Sequence, residues 1–286
     1  MEGLIRGAFV TMSSTSVLVL LVLGMAVIVG MMRVINMAQG EFVLLGAVTA
    51  FVVQNLTGST ILGMLAAPIV VGALGALLER TLVRRYYGNP SGALLLTFAI
   101  GFLIREVVRS QMQTQSTTVT APLPGYFTVG GAQLETWRMV IIVATVLIIA
   151  GCWLALTRTS IGLKVRATLD NPELAAATGI SINAMYMGTF AFGSALAGLA
   201  GGLIVPIQTL YPDLGLNNLT PMFISVFIGG LGSLFGPLLG AIFIGLPQYG
   251  LALVISSVLA QVVVLAAAIL LLRIRPNGLC GKRVER

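Results

Sequence analysis

Three polar side chains, Asn36, Gln39 and Glu41, stand close together between two long apolar runs near the start of the chain. Amide and carboxylate groups offer donors and acceptors to a polar solute, and Gly40 among them permits a break in a helix. Polar groups inside a membrane are costly and often mark a pathway. We therefore predict a candidate translocation path at these three residues. The alternative is a hydrogen-bonded turn at the lipid headgroups, with Arg33 reaching towards water.

Groups that carry catalysis or bind metals are scarce in this chain. It has no histidine and only nine Asp and Glu residues, which excludes His-based metal sites and His-based acid–base chemistry. Glu79 and Glu106 stand beside Arg80 and Arg105 at the ends of apolar runs, where we predict interfacial ion pairs. The glycine-rich stretch at 229–241 lacks the Gly-Lys-Ser/Thr sequence of a phosphate loop. We expect no catalytic residue, no metal, no cofactor bound by this chain and no enzymatic activity.

The composition predicts an integral membrane protein. Of the 286 residues, 57% are hydrophobic and 9% are charged, whereas a soluble domain carries about 25% charged residues. A short apolar run at 42–53 and a glycine-interrupted run at 220–250 predict re-entrant or broken helices. The fold class is therefore all-α, a polytopic membrane helix bundle of about eight to ten segments in a single transmembrane domain, 1–286. The other runs of near-spanning length lie at 9–32, 61–78, 92–108, 138–157, 184–205 and 252–272.

Lysine and arginine residues are concentrated in a few connections, and this bias sets the orientation in the membrane. The basic connections, at 80–85, at 158–166 and after residue 273, are predicted to be cytoplasmic. The net charge of +7 then reflects topology, and no nucleic-acid partner is expected. The connections without Lys or Arg are predicted to be external, and they lie at 54–60, 111–136 and 206–219.

A short polar helix with a signal at each end is predicted within DNPELAAATGI, residues 170–180. Asn171 is a favourable N-cap, Pro172 suits the first helical position, and Glu173 favours the positive end of the helix dipole. Gly179 suits the left-handed position that ends a helix. So short a helix is marginal alone in water, and it cannot span a bilayer. It is either a connector at the headgroups or a docking element for a cytoplasmic partner.

The longer stretch SIGLKVRATLDNPELAAATGI (160–180) resembles the cytoplasmic coupling loop of permeases in the branched-chain amino acid and urea ABC importer family. The resemblance implies an ATPase-coupling helix, carried by a loop at 158–183, that sits in a groove of an ATP-binding subunit. The residues assigned to this helix are Asn171, Pro172, Glu173, Ala175, Ala176, Gly179 and Ile180.

Other stretches carry the same resemblance along nearly the whole chain, in order. VINMAQGEFVLLGA (34–47) is similar to the family's signature near the first spans, with Gln39 where the family usually has His. Glutamine keeps the hydrogen-bonding capacity without titrating, so a role for that imidazole is not carried over. GGLGSLFGPLLGA (229–241) and RPNGL (275–279) are similar to the family's glycine-rich stretch and C-terminus.

The resemblance implies a permease subunit of an ATP-driven importer with the ABC-importer permease fold, multi-pass in a bacterial plasma (inner) membrane. The implied partners are a second homologous permease, two ATP-binding subunits that use ATP and magnesium, and a periplasmic or lipid-anchored substrate-binding protein. Gln208, Tyr211 and Asp213 are candidate external contacts for the substrate that this protein delivers. The predicted mechanism is alternating access.

The resemblance leaves two classes of substrate open. Branched-chain or other hydrophobic amino acids are the family's widest assignment, and urea or short-chain amides are the second. TFAIGFLIREVVR (97–109) and YPDLG (211–215) are closer to the urea and short-amide branch. An ATP-independent channel or secondary transporter is a further alternative, which the absence of a predicted chain of intramembrane carboxylates disfavours.

Overall fold

The computed structural model describes residues 2–32, 34–112, 117–230, 235–275 and 278–280. Arg33, part of the glycine-rich stretch (231–234) and most of the basic C-terminal segment (276–277 and 281–286) lie outside the described residues. A 3₁₀ turn (Val83–Tyr86) and two β-strands, β1 (Tyr126–Val129) and β2 (Ala132–Glu135), accompany the helices. The helices are α1 (Glu2–Met32), α2 (Gln39–Thr57), α3 (Thr60–Thr81), α4 (Pro90–Met112), α5 (Thr136–Arg158), α6 (Ser160–Asp170), α7 (Pro172–Ala177), α8 (Ile182–Ile204), α9 (Leu214–Gly229), α10 (Gly236–Leu251) and α11 (Ser257–Ile274).

The helical content confirms the predicted all-α polytopic bundle. Within the described residues, seven helices are long and apolar enough to cross a membrane, namely α1 to α5, α8 and α11, and α9 and α10 are shorter apolar helices. The predicted break in the run at 220–250 separates α9 from α10, and Pro237 lies in the first turn of α10. A proline there is favourable because the first helical amides have no acceptor within the helix.

Small residues on α8 bring its backbone against three neighbouring helices. A Cβ atom on Gly193 would lie 2.8 Å from the carbonyl oxygen of Gly24 in α1, and one on Gly198 would lie 2.8 Å from that of Ala67 in α3. A Cβ atom on Gly201 would overlap the carbonyl oxygen of Val43 in α2. Lipid provides no hydrophobic driving force between helices, so close packing of this kind stabilises their association. This small-residue face is therefore used within the chain.

The residues just after α11 bond to the end of α9. The backbone amide of Leu279, just after α11, donates to the carbonyl oxygen of Ile228 at the end of α9 (2.7 Å). The amide of Cys280 likewise donates to the carbonyl oxygen of Gly229 (3.2 Å). The end of α11 therefore lies beside the junction of α9 and α10, on the side where the basic residues predict the cytoplasm.

Hydrogen bonds to a buried carboxylate stabilise the predicted cytoplasmic end of α3. Glu79 is fully buried and accepts hydrogen bonds from Nε (3.2 Å) and Nη2 (3.0 Å) of Arg84 and from the Tyr87 hydroxyl. The predicted interfacial pair of Glu79 with Arg80 is wrong, because the 3₁₀ turn folds Arg84 back onto the carboxylate. Burial and the hydrogen bond to Glu79 raise the pKa of Tyr87 far above its usual range, so the phenol remains a donor. Its ring also contacts that of Tyr186 in α8, with centroids 5.1 Å apart.

A β-hairpin occupies part of the predicted external connection at 111–136, which the all-α prediction missed. Its strands β1 and β2 pair antiparallel, and Gly130 and Gly131 form the turn with φ values of +58° and +88°. A Gly-Gly pair favours this two-residue turn because both positions need positive φ. The ring of Phe127 packs edge-on against that of Phe9 in α1, with centroids 5.9 Å apart. The hairpin thus covers the first residues of α1.

Candidate functional site

The predicted path residues Asn36 and Gln39 lie inside the bundle. Both are fully buried. Asn36 Nδ2 donates to Gln39 Oε1 (3.0 Å), and Gln39 Nε2 donates to the carbonyl oxygen of Gly193 (3.2 Å). Gly193 is the middle residue of α8, so the pair lies at the depth of that helix's centre. The hydrogen-bonded turn of the alternative is present, but it lies level with the centre of α8 and not at the end of the bundle.

The chain is broken here, as the sequence predicted. Residues 34–38 are not helical, and α2 begins at Gln39 without a side-chain cap. The Asn36 side chain accepts the Ala38 amide (3.1 Å), and Thr97 of α4 accepts the Met37 amide (3.1 Å). These bonds satisfy the backbone groups that a helix would otherwise pair. The start of α2 is thus held inside the protein by side chains.

The third path residue, Glu41, faces an arginine of α4. Glu41 is 3% exposed and Arg105 is 8% exposed. Arg105 Nε lies 3.8 Å from Glu41 Oε1, which is an ion pair without a hydrogen bond. The Arg105 guanidinium also lies 5.8 Å from the centroid of the Phe102 ring. The predicted pairing of Arg105 with Glu106 at a span end is wrong, because Arg105 turns inwards to α2.

The next turn of α4 contacts one of the predicted external residues, Asp213. Arg109 donates to Glu106 (Nη1–Oε1, 2.7 Å) and to Asp213 (Nη2–Oδ1, 2.6 Å). These groups are about 40% exposed, so each pair contributes little stability alone. Tyr211 accepts a hydrogen bond at its hydroxyl oxygen from Asn217 (2.9 Å). No hydrogen bond or ion pair among the described residues joins Gln208 to Asp213 or Tyr211.

Sequence reasoning missed Arg105 and Arg109 as members of this site. Arg105 lies seven residues before the last residue of α4, about two turns from its end. A charge that far inside an apolar helix is the signal that identifies an inward-facing group. The assumed end of this span near residue 108 hid it, because the helix extends to Met112.

The predicted coupling helix is confirmed as a helix, α7, with both caps as expected. Asn171 Oδ1 accepts the amides of Glu173 (3.0 Å) and Leu174 (3.1 Å). At the other end, the amide of Ile180 donates to the Ala175 carbonyl (3.1 Å), and Gly179, with φ +87°, donates to that of Ala176 (2.9 Å). This paired arrangement is the Schellman motif. Both ends of α7 are therefore closed by the bonds that its own residues make.

The outer surface of α7 exposes apolar side chains beside Glu173, and no other described residue covers them. Ala175 is buried, whereas Leu174 is 66% exposed and Ala176 and Ala177 are also exposed. The preceding helix α6 positions α7, and it is capped by Thr159, which accepts the Gly162 amide (3.2 Å). A small, exposed apolar surface therefore lies in a basic, predicted cytoplasmic loop.

Comparison with known proteins decides the family. A family model described as branched-chain amino acid transport system / permease component matches residues 7–273. The chain belongs to this family. Relatives include the high-affinity branched-chain amino acid permease BraD of Pseudomonas aeruginosa, 28% identical over 99% of this chain and 96% of that protein. No solved structure matches.

Two further relatives differ in the substrate that their names give. The probable branched-chain amino acid permease LivH of Methanocaldococcus jannaschii is 29% identical over 95% of this chain and 92% of that protein. The ribose import permease RbsC of Escherichia coli is 25% identical over 93% of this chain and 84% of that protein. The chain is thus a multi-pass membrane permease subunit and a transport component, not an enzyme.

Removing the N-cap of α7 tests how much the permease depends on this helix. The Asn171→Ala substitution deletes the acceptor of two amides and should cost about 1 kcal/mol of local helix stability. We expect transport by the assembled permease to fall several-fold, measured as substrate uptake into proteoliposomes. Asn171→Asp, which keeps the acceptor, is the matched control and should transport normally. If the Asn171→Ala variant transports as well as the wild type, transport does not require an ordered α7.

Proposed function

We propose that this permease forms the membrane path for branched-chain or other hydrophobic amino acids in an ATP-driven importer. The observation that carries the proposal is α7, a doubly capped helix whose apolar outer surface has no partner in the described part of the chain. A helix of six residues gains little from its own hydrogen bonds. Its order is explained if it docks in a groove of an ATP-binding subunit.

The packing supplies a route by which motion of α7 would reach the path. Only a short connection separates α7 from α8, and Ser181 caps α8 by accepting the Ala184 amide (3.4 Å). Further along α8, the carbonyl oxygen of Gly193 accepts from Gln39 at the start of α2. Closure of the ATP-binding subunits would move α7, tilt α8 and shift the broken start of α2. This is an alternating-access cycle, in which a difference in affinity between two states drives release.

The proposed assembly contains this chain and a second homologous permease, two ATP-binding subunits and a substrate-binding protein outside the membrane. ATP and magnesium would be used by the ATP-binding subunits. The names of BraD and LivH support amino acids as the substrate over urea or short amides. The Asn36–Gln39–Glu41 site combines few charges with an apolar surround, which suits a solute without net charge.

The proposed function is tested with the complete importer in proteoliposomes. We expect radiolabelled leucine to accumulate only when ATP and the substrate-binding protein are both present, and an excess of urea not to compete. Liposomes holding this chain alone are the control, and they should show no leucine flux. Flux through the chain alone would favour a channel or secondary transporter, and competition by urea would favour the amide alternative.

A further inference from the structure

The Glu41–Arg105 pair is incompletely satisfied. Glu41 Oε2 is buried and has no hydrogen-bond partner in the described residues. Oε1 has only the 3.8 Å approach of Arg105 Nε. Buried carboxylates normally accept several hydrogen bonds, because removing a charge from water is costly. A buried guanidinium with five donors is likewise expected to make them. Glu41 can therefore still accept hydrogen bonds, and Arg105 can still donate them, to a group of opposite charge.

Glycines let two neighbouring helices, α4 and α9, approach the Glu41 carboxylate closely. A Cβ atom on Gly215 would lie 2.9 Å from Glu41 Oε2, and one on Gly101 would lie 3.3 Å from Glu41 Cγ. Gly40 and Gly215 also bring the first turns of α2 and α9 into direct contact. Both helices begin here without a side-chain cap. The positive dipole ends of these two helices lie beside the Glu41 carboxylate and stabilise its negative charge.

A line of charged groups connects this pair to the predicted external side. Arg109 lies one turn beyond Arg105 on α4, and it binds Asp213 at the N-terminus of α9. Asp213 and Arg109 are both partly exposed, whereas Glu41 and Arg105 are not. The two ion pairs thus form successive steps from the surface to the bundle interior, each with one positive and one negative group.

We propose that Glu41 and Arg105 bind the two charged ends of an amino acid in transit, the ammonium group at Glu41 and the carboxylate at Arg105. This inference rests on the proposed function and adds Arg105 as a specificity-determining residue. A zwitterion that separates Glu41 from Arg105 would give each of them a new partner of opposite sign. Neither buried charge is then left unpaired. A solute with a single charge would leave one protein group unpaired. An uncharged solute such as urea has no charge to offer to either Glu41 or Arg105.

The test removes both charges together, because removing one leaves a lone buried charge that destabilises the fold. We expect the double variant Glu41→Gln/Arg105→Gln to reduce leucine uptake by the complete importer about tenfold to a hundredfold, at saturating leucine-loaded binding protein. Correct assembly is checked by co-purification of the partner subunits. The matched control, Glu135→Gln/Arg138→Gln, removes another ion pair on the external side and should keep uptake within about twofold.

The outcomes separate this inference from the proposed function. If the wild-type importer moves no leucine, the proposed function fails first. If the wild type moves leucine and the double glutamine variant does so equally, the pair is only structural and the inference is overturned. The reversed pair, Glu41→Arg/Arg105→Glu, keeps an ion pair but exchanges its polarity, and normal uptake by it would also overturn the inference. If neither double variant assembles, Glu41→Asp decides: a marked loss of uptake supports the inference and unchanged uptake overturns it.

Discussion

The Ala176→Arg substitution is expected to abolish ATP-driven leucine uptake while the membrane bundle still folds. Ala176 is exposed on the outer surface of α7, so the new side chain can point away from the described residues. In a groove of an ATP-binding subunit, however, the arginine would be a buried charge without a partner, at a cost of about 3–5 kcal/mol. We expect uptake to fall at least about a hundredfold, measured in proteoliposomes together with ATP turnover.

The matched control for this variant is Ser91→Arg. Ser91 is also exposed, and it lies in the first turn of α4 on the same predicted cytoplasmic side, but outside the coupling loop. Uptake by the control should remain close to that of the wild type. If Ala176→Arg co-purifies with the ATP-binding subunits and transports normally, α7 is a headgroup connector and the docking proposal is wrong.

The Gly201→Leu substitution should have the largest effect on folding. A Cβ atom at position 201 would overlap the carbonyl oxygen of Val43, and it would lie 2.8 Å from the Ala47 amide nitrogen. Backbone atoms cannot move aside by changing rotamer, so α8 and α2 must separate. We expect a loss of about 3 kcal/mol or more, seen as a lower thermal midpoint or as aggregation of the detergent-purified chain.

Gly188→Leu provides the control within the same helix. Nothing lies within 4 Å of a Cβ atom at position 188, and the residue is exposed. The change should alter stability by less than about 0.5 kcal/mol. Similar behaviour of the two variants would mean that the close packing of α8 against α2 does not determine stability.

The sequence predicted those features that depend on neighbouring residues. The caps of α7 follow from Asn171 and Gly179, and both bond as their residue types require. The apolar runs locate the membrane helices because every backbone group must be paired within lipid. The break before Gln39 follows from polar residues beside a glycine, which do not continue an apolar helix.

The features that the sequence did not predict depend on distant residues. Glu41 and Arg105 are separated by 63 intervening residues and meet because α2 and α4 pack together. Adjacent charges were paired instead, Glu79 with Arg80 and Glu106 with Arg105, whereas the structure pairs Glu79 with Arg84 and Glu106 with Arg109. The hairpin of β1 and β2 had a local signal in Gly130 and Gly131, but the apolar composition of the chain predicts helices. The role of Asn36, Gln39 and Glu41 in translocation stays a prediction.

Crosslinking at position 176 tests most directly whether α7 docks on an ATP-binding subunit. The two cysteines of the chain are free, one buried and one exposed, so Cys280→Ser provides a suitable background for Ala176→Cys. With a short bifunctional thiol–amine reagent, we predict a covalent product with the ATP-binding subunit at position 176 and none with Ser91→Cys. Uptake of leucine should be lost in proportion to the crosslinked fraction. No product at position 176 in an importer that remains active would contradict the proposed coupling.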